Sequence, residues 1–138
     1  MNEPYWIVRE YLKRLDLEFM ENPQDKIINL FLDVKDRRIK VEIRLNEGWI
    51  DIQTQLHNTR KLSPEERLQI YEAMLKASGK TKTSFYLERS KALVQASLPV
   101  QGLNFEIFKT EIETYHKCLE YWTTKIIPKL GLEIIAAE

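Results

Sequence analysis

The sequence predicts an α+β fold. It should be two-layered, with an antiparallel sheet of about five strands and helices in the order α-β-β-β-α-β-β-α. Three observations carry this expectation. Apolar residues alternate at period two over Ile28–Val34, Ile39–Leu45 and Ile50–Leu56, the pattern of strands with one buried face. Only a few residues separate those runs, which suits hairpins and not parallel crossovers. Elsewhere apolar residues recur every three or four positions, the helical period.

The first helix is predicted over roughly Pro4 to Leu15. Pro4 suits a first turn, and Val8, Tyr11, Leu12 and Leu15 share a face opposite Arg9, Glu10, Lys13 and Arg14. Leu17 to Met20 has the character of a short strand outside the main count, and Glu21-Asn22-Pro23-Gln24-Asp25 reads as a turn. Ile28, Leu30, Leu32 and Val34 line one side of the next strand, and Lys35-Asp36-Arg37-Arg38 turns the chain. Ile39, Val41, Ile43 and Leu45 follow, interleaved with charge. Asn46-Glu47-Gly48 then connects to a strand with Ile50, Ile52, Thr54 and Leu56 on one side.

Ser63-Pro64-Glu65-Glu66 has the composition of a capping box with proline at the first helical position. Leu68, Tyr71 and Leu75 form the stripe of that helix, with Ile70 and Met74 beside it, and Gly79 ends it. Phe85 and Leu87, a turn at Glu88-Arg89-Ser90-Lys91, and Val94, Ala96 and Leu98 make a second hairpin. The last helix carries Phe105, Phe108, Ile112, Tyr115, Leu119, Trp122 and Ile126 on one stripe, with Pro128 and Gly131 closing it. The first and last helices should cover the sheet side that holds Ile28, Val41, Ile52, Leu87 and Val94.

The opposite side would carry Asn29, Asp33, Lys40, Glu42, Arg44, Gln53 and Glu88, together with Ile27, Phe31, Trp49, Tyr86 and Leu93. Those last five are the candidate protein interface, because large apolar groups on an otherwise open sheet face often meet a partner. The competing reading is that the middle helix or a loop covers them within one molecule.

The 138 residues suit a single domain, and 43% hydrophobic with 30% charged residues is an ordinary folded composition. Twenty-one basic and twenty-one acidic residues cancel, which argues against nucleic acid as a partner because duplex binding draws on phosphate neutralisation. One cysteine, no leader-like N-terminus and no apolar run long enough for a bilayer give a cytoplasmic expectation with no membrane contact.

No catalytic, cofactor-binding or metal-binding set emerges. His116 and Cys118 diverge by about 200° on a helix, and Cys118 among Tyr115, Leu119 and Trp122 reads as core. His57 is expected in a solvated loop. Glu65 and Glu66 belong to a helix start, while Asp33, Asp36 and Asp51 carry no signature. Phosphate-cradle, nucleophile-elbow and zinc spacings are absent from the sequence. Arg37-Arg38-Ile39-Lys40 with Lys80 and Lys82, beside Trp49 or Tyr86, supplies the alternative of a nucleic-acid-associated regulator. Basic turns that keep the sheet soluble explain the same residues more simply.

The element order and the stretch Ala96-Ser97-Leu98-Pro99-Val100-Gln101-Gly102-Leu103-Asn104-Phe105-Glu106 resemble the YbjN family, whose members share the type III secretion chaperone-like fold. In that family the last strand ends in Leu-Pro and a Gly-Leu pair enters the final helix. Ser78-Gly79-Lys80 departs from the asparagine that many members carry after the middle helix. The resemblance implies a small adaptor- or chaperone-like protein, often dimeric, with no established chemistry and no catalytic residues to carry over. The expected function is therefore a non-enzymatic protein-interaction module with an unidentified protein partner and a homodimeric state.

Overall fold

A computed structural model of the chain describes residues 3–81 and 83–130. The elements are α1 (Glu3–Arg14), β1 (Glu18–Asn22), β2 (Ile27–Val34), β3 (Arg37–Asn46), β4 (Trp49–Asn58), α2 (Pro64–Ser78), β5 (Ser84–Glu88), β6 (Lys91–Pro99) and α3 (Phe105–Tyr121). A π-helical turn at Trp122–Ile126 continues α3 into α4 (Ile127–Leu130). Six strands form one antiparallel sheet in the order β1-β2-β3-β4-β6-β5. This is the expected fold with one strand more. The addition is β1, which pairs with β2 and offers the core only Phe19.

Alternation places the central strands as the sequence predicts. Ile28 sits opposite Ile43, Ile43 opposite Ile52, and Ile52 opposite Ala96, so one apolar row crosses four strands. Helices α1 and α3 roof this face with Tyr5, Val8, Leu12, Phe108, Ile112, Tyr115, Leu119 and Trp122, all buried. Each such side chain contributes about 1.5–3 kcal/mol by leaving water. Tyr11 locks the two helices together, with its ring 5.5 Å from Phe105 and 5.7 Å from Phe108.

Two of the aromatic polar tips inside this core are paired by the sheet, whereas the buried Tyr5 hydroxyl has no hydrogen-bond partner among the described residues. The Tyr115 hydroxyl donates to the Val94 carbonyl at 3.1 Å, which leaves the Thr54 hydroxyl to donate to Tyr115 at 2.6 Å. Burial holds the Tyr115 phenol far above its ordinary pKa, so it stays a neutral donor.

His57 is not in a solvated loop. A β-bulge shifts the β4–β6 register between Gln55 and His57. Leu56 is the extra residue, so it and His57 both face the core, and His57 is only 3% exposed. Its Nε2 accepts the Trp122 indole N–H at 3.1 Å. Indole is a donor only, so the His57 proton sits on Nδ1.

Helix α2 begins as expected. The Glu66 N–H donates to the Ser63 hydroxyl at 3.1 Å, and the Ser63 N–H donates to Glu66 Oε1 at 2.9 Å. The face it buries is not the expected one. Ile70, Met74 and Ala77 enter the core, while Leu68 and Leu75 lie exposed and Tyr71 half-buried. Pro128 does not close the last helix. Its ring would crowd the carbonyl four residues back, and the π turn just before it widens the backbone there, letting α4 continue. Gly131 and Lys82 lie outside the described residues.

The β2–β3 turn is tighter than expected, because Arg37 and Arg38 already belong to β3. Lys35 consequently takes a left-handed φ of 57°, whereas Gly48 supplies the positive φ of the next hairpin without a Cβ penalty.

Two outcomes follow for urea denaturation. His57→Leu should destabilise the chain by about 1–3 kcal/mol, because the Trp122 N–H is left buried without its acceptor. Lys35→Gly should stabilise it by up to about 1 kcal/mol by relieving the left-handed strain.

Candidate functional site

The sheet face away from the helices is the surface that the sequence singles out. Along β3, β4, β5 and β6 its polar side chains bind one another across the strands. The Tyr86 hydroxyl donates to Gln53 Oε1 at 3.3 Å, and Gln53 Nε2 donates to Glu42 at 3.4 Å. Arg44 closes on the same carboxylate. The side chains of β5, β4 and β3 are thereby tied together over β6. Burial, and then the nearby Glu88 carboxylate, raise the Tyr86 phenol pKa against the opposing pull of Arg44, which keeps the O–H in place. Nearer the β3–β4 turn, Asp51 accepts from Asn46 and, at 2.7 Å, from the Ser97 hydroxyl.

The five candidate interface residues all project on this face but do not form one patch. Ile27 is half-buried opposite Arg44, and Phe31 is half-buried opposite Lys40. The Arg38 guanidinium lies 4.7 Å from the Phe31 ring centroid and pairs with Glu18, so a charged stem roofs the ring. Tyr86 is half-buried and is the cross-strand neighbour of Leu93. Leu93 is only 4% exposed. It sits between Gln55 and Tyr86 on the adjoining strands, and their long side chains close over it. Trp49 stands at the far end of β4 between Asn46 and Pro99 and is 51% exposed. The middle helix does not cover this face, since its buried residues join the core on the other side.

The sequence reasoning missed a second surface. Leu68 and Leu75 on α2 and Leu87 on β5 are exposed, and an open apolar cleft of about 340 Å³ lies between Tyr71, Met74, Leu75, Phe85, Tyr86 and Leu87. The signal was present in α2, which has more apolar positions than one buried stripe requires.

A cleft of about 510 Å³ between α3 and the α1–β1 corner holds His116, Arg38, Lys109, Glu113 and Asp33. Two of its groups are paired within the lining: His116 Nε2 donates to the Asp33 carbonyl at 2.8 Å, and Arg38 holds Glu18. Cys118 instead faces Thr83 at 2.8 Å, so His116 and Cys118 do not converge. Burial raises the Cys118 thiol pKa, opposite to what a nucleophile needs.

Among the described residues, Arg37 and Arg38 do not lie beside Trp49. Arg37 and Arg38 open β3, whereas Trp49 lies across the turn at its other end. Ten residues of strand span about 30 Å. No helix among the described residues is long and apolar enough to cross a membrane.

No family model matches the chain, and no curated protein matches it in sequence. Solved structures do match in fold. The E. coli protein YbjN is 16% identical, with a TM-score of 0.61 over 96% of both chains. A chain of the ExsC–ExsE complex is 13% identical, with a TM-score of 0.66 over 91% of this chain and 94% of that one. A chain of the HopA1–SchA chaperone–effector complex is 10% identical, with a TM-score of 0.55 over 85% of this chain and 89% of that one. The fold is that of YbjN and the type III secretion chaperones, as the sequence resemblance implied.

Exposure separates two of the interface candidates in a testable way. Trp49→Ala should change stability by no more than about 0.5 kcal/mol. Leu93→Ala should cost about 2–3 kcal/mol, since it empties a filled site. Urea denaturation of the two variants checks both.

Proposed function

We propose that the protein is a non-enzymatic protein-interaction module of chaperone or adaptor type, working as a cytoplasmic homodimer. Its open sheet face would hold a partner polypeptide around Trp49, with Ile27, Phe31 and Tyr86 as further contacts. The observation that carries this reading is a helix-free sheet face whose polar groups pair laterally while Trp49 stays bare. Lateral pairing satisfies those groups without aiming them at one reacting atom, which suits recognition better than turnover. Two of the similar structures are complexes, one of them a chaperone with its effector. A nucleic-acid role draws less support, because Arg37 and Arg38 lie far from Trp49 and Arg38 is paired with Glu18.

Site-specific photo-cross-linking in cells tests the reading. A benzophenone side chain at Trp49 should give polypeptide adducts of defined mass, and the same probe at Glu106 on α3 should not. The adducts should weaken at least several-fold when Ile27→Glu adds charge at the same end of the face. Identical products from both positions, or none from Trp49, would reject it.

A further inference from the structure

Lateral pairing on the open sheet face leaves one group of side chains out. A cleft of about 280 Å³ crosses the middle strands there, with Lys40, Gln55, Glu88 and Lys91 around the buried Leu93 and the Glu42–Arg44 pair beside them. Lys40 and Gln55 are half-buried, while Lys91 and Glu88 are exposed. Elsewhere on the face the charges are met: Arg44 closes on Glu42, Arg38 on Glu18, and Asp51 accepts from Asn46 and Ser97. Lys40 and Lys91 have no ion pair among the described residues, and the Gln55 amide has no hydrogen-bond partner among them.

With Glu42 and Arg44 cancelling, the cleft sets two ammonium groups against the Glu88 carboxylate. One positive charge is in surplus there, on a chain whose basic and acidic totals are equal. Glu88 does not settle the lysines. It is the cross-strand neighbour of Lys91 yet forms no ion pair with it, and its field falls on Tyr86 and Arg44. A half-desolvated cation without a counter-ion is unfavourable until a complementary group arrives. Strand β4 lies between β3 and β6, so the Gln55 amide adds N–H donors between the two lysines. Donors of this kind meet a carboxylate, whereas a further ammonium would be repelled.

We infer that this cleft takes an acidic side chain of the partner polypeptide, an aspartate or glutamate held by Lys40, Lys91 and Gln55 above Leu93. The inference rests on the partner-binding reading and names the chemistry that the partner must carry. The sheet adds a spacing. Gln55 follows Trp49 by six residues on β4, which is about 20 Å of extended chain. A partner running extended along β4 therefore needs an apolar residue for Trp49 and its acid about six positions away. Trp49 contributes contact area, and the acid site fixes register and rejects segments of the wrong charge.

NMR titration of the isotope-labelled full chain tests this with the blocked peptide acetyl-Leu-Ser-Gly-Ser-Gly-Ser-Glu-amide, whose leucine and glutamate have the required spacing. At millimolar peptide, the Trp49 indole and Gln55 side-chain amide signals should move together on one saturation curve. Glutamine in place of the peptide's glutamate should weaken binding at least several-fold, and so should Lys40→Gln or Lys91→Gln in the protein. Raising the salt concentration should shrink that preference. Both lysine variants should keep the wild-type urea midpoint, since neither side chain is paired within the fold. A Gln55 signal that stays still, a glutamine peptide that binds as tightly, or lysine variants that bind unchanged would overturn the inference. Free acetate binding as tightly as the peptide would also overturn it, by making this a site for small carboxylates. Trp49 adducts in cells with no Gln55 response keep the partner-binding face and reject the acid site; a Gln55 response without adducts separates them the other way.

Discussion

Six strands bury one face only, and most of the architecture follows from that restriction. A sheet roofed on a single side must keep alternation along its central strands except at a bulge, since a slip of one residue would exchange core for solvent. The row Ile28–Ile43–Ile52–Ala96 shows the rule holding across four strands. It also dictates what α1 and α3 must be. Each needs one broad apolar stripe, and their meeting at Tyr11, Phe105 and Phe108 closes the core at one end.

Two of the large aromatics that fill this roof, Tyr115 and Trp122, bring polar atoms for which the sheet supplies partners at fixed places. The Val94 carbonyl accepts the Tyr115 O–H, the Thr54 hydroxyl donates to the Tyr115 oxygen, and His57 Nε2 accepts the Trp122 indole N–H. A buried donor without a partner would cost about 1–3 kcal/mol, so these two contacts set the position of α3 more sharply than apolar packing alone. The bulge at Leu56 belongs to the same design, because it turns His57 inward where Trp122 needs an acceptor.

These features differ in how far the sequence discloses them. Strands β2, β3 and β4 are legible because period two is a local pattern, and the α2 start is legible because Ser63 and Glu66 sit at capping distance in the chain. The inward turn of His57 is hidden, since a bulge changes facing without changing composition. Strand β1 is legible in part: Leu17 to Met20 has strand character, but an edge strand with one core contact carries almost no alternation, so its extension over Glu21 and Asn22 reads as turn. For α2 the reading failed by choosing between two apolar stripes on pattern alone. Tertiary placement beside β5 selected Ile70, Met74 and Ala77. The open face was assigned residue by residue, yet its burial was not legible, because whether Leu93 is covered depends on long side chains from two neighbouring strands.

The two exposed surfaces differ in what it costs to cover them. On the open face, Tyr86, Gln53, Glu42 and Arg44 already satisfy one another. A partner there must remove water from paired charges and match them, which favours selectivity and exchange over permanence. The α2–β5 edge presents leucine, phenylalanine and free strand backbone, so covering it removes apolar surface from water and completes a hydrogen-bond ladder at once. Contacts of the first kind suit a client that comes and goes. Contacts of the second kind suit an apolar surface that stays in place once docked.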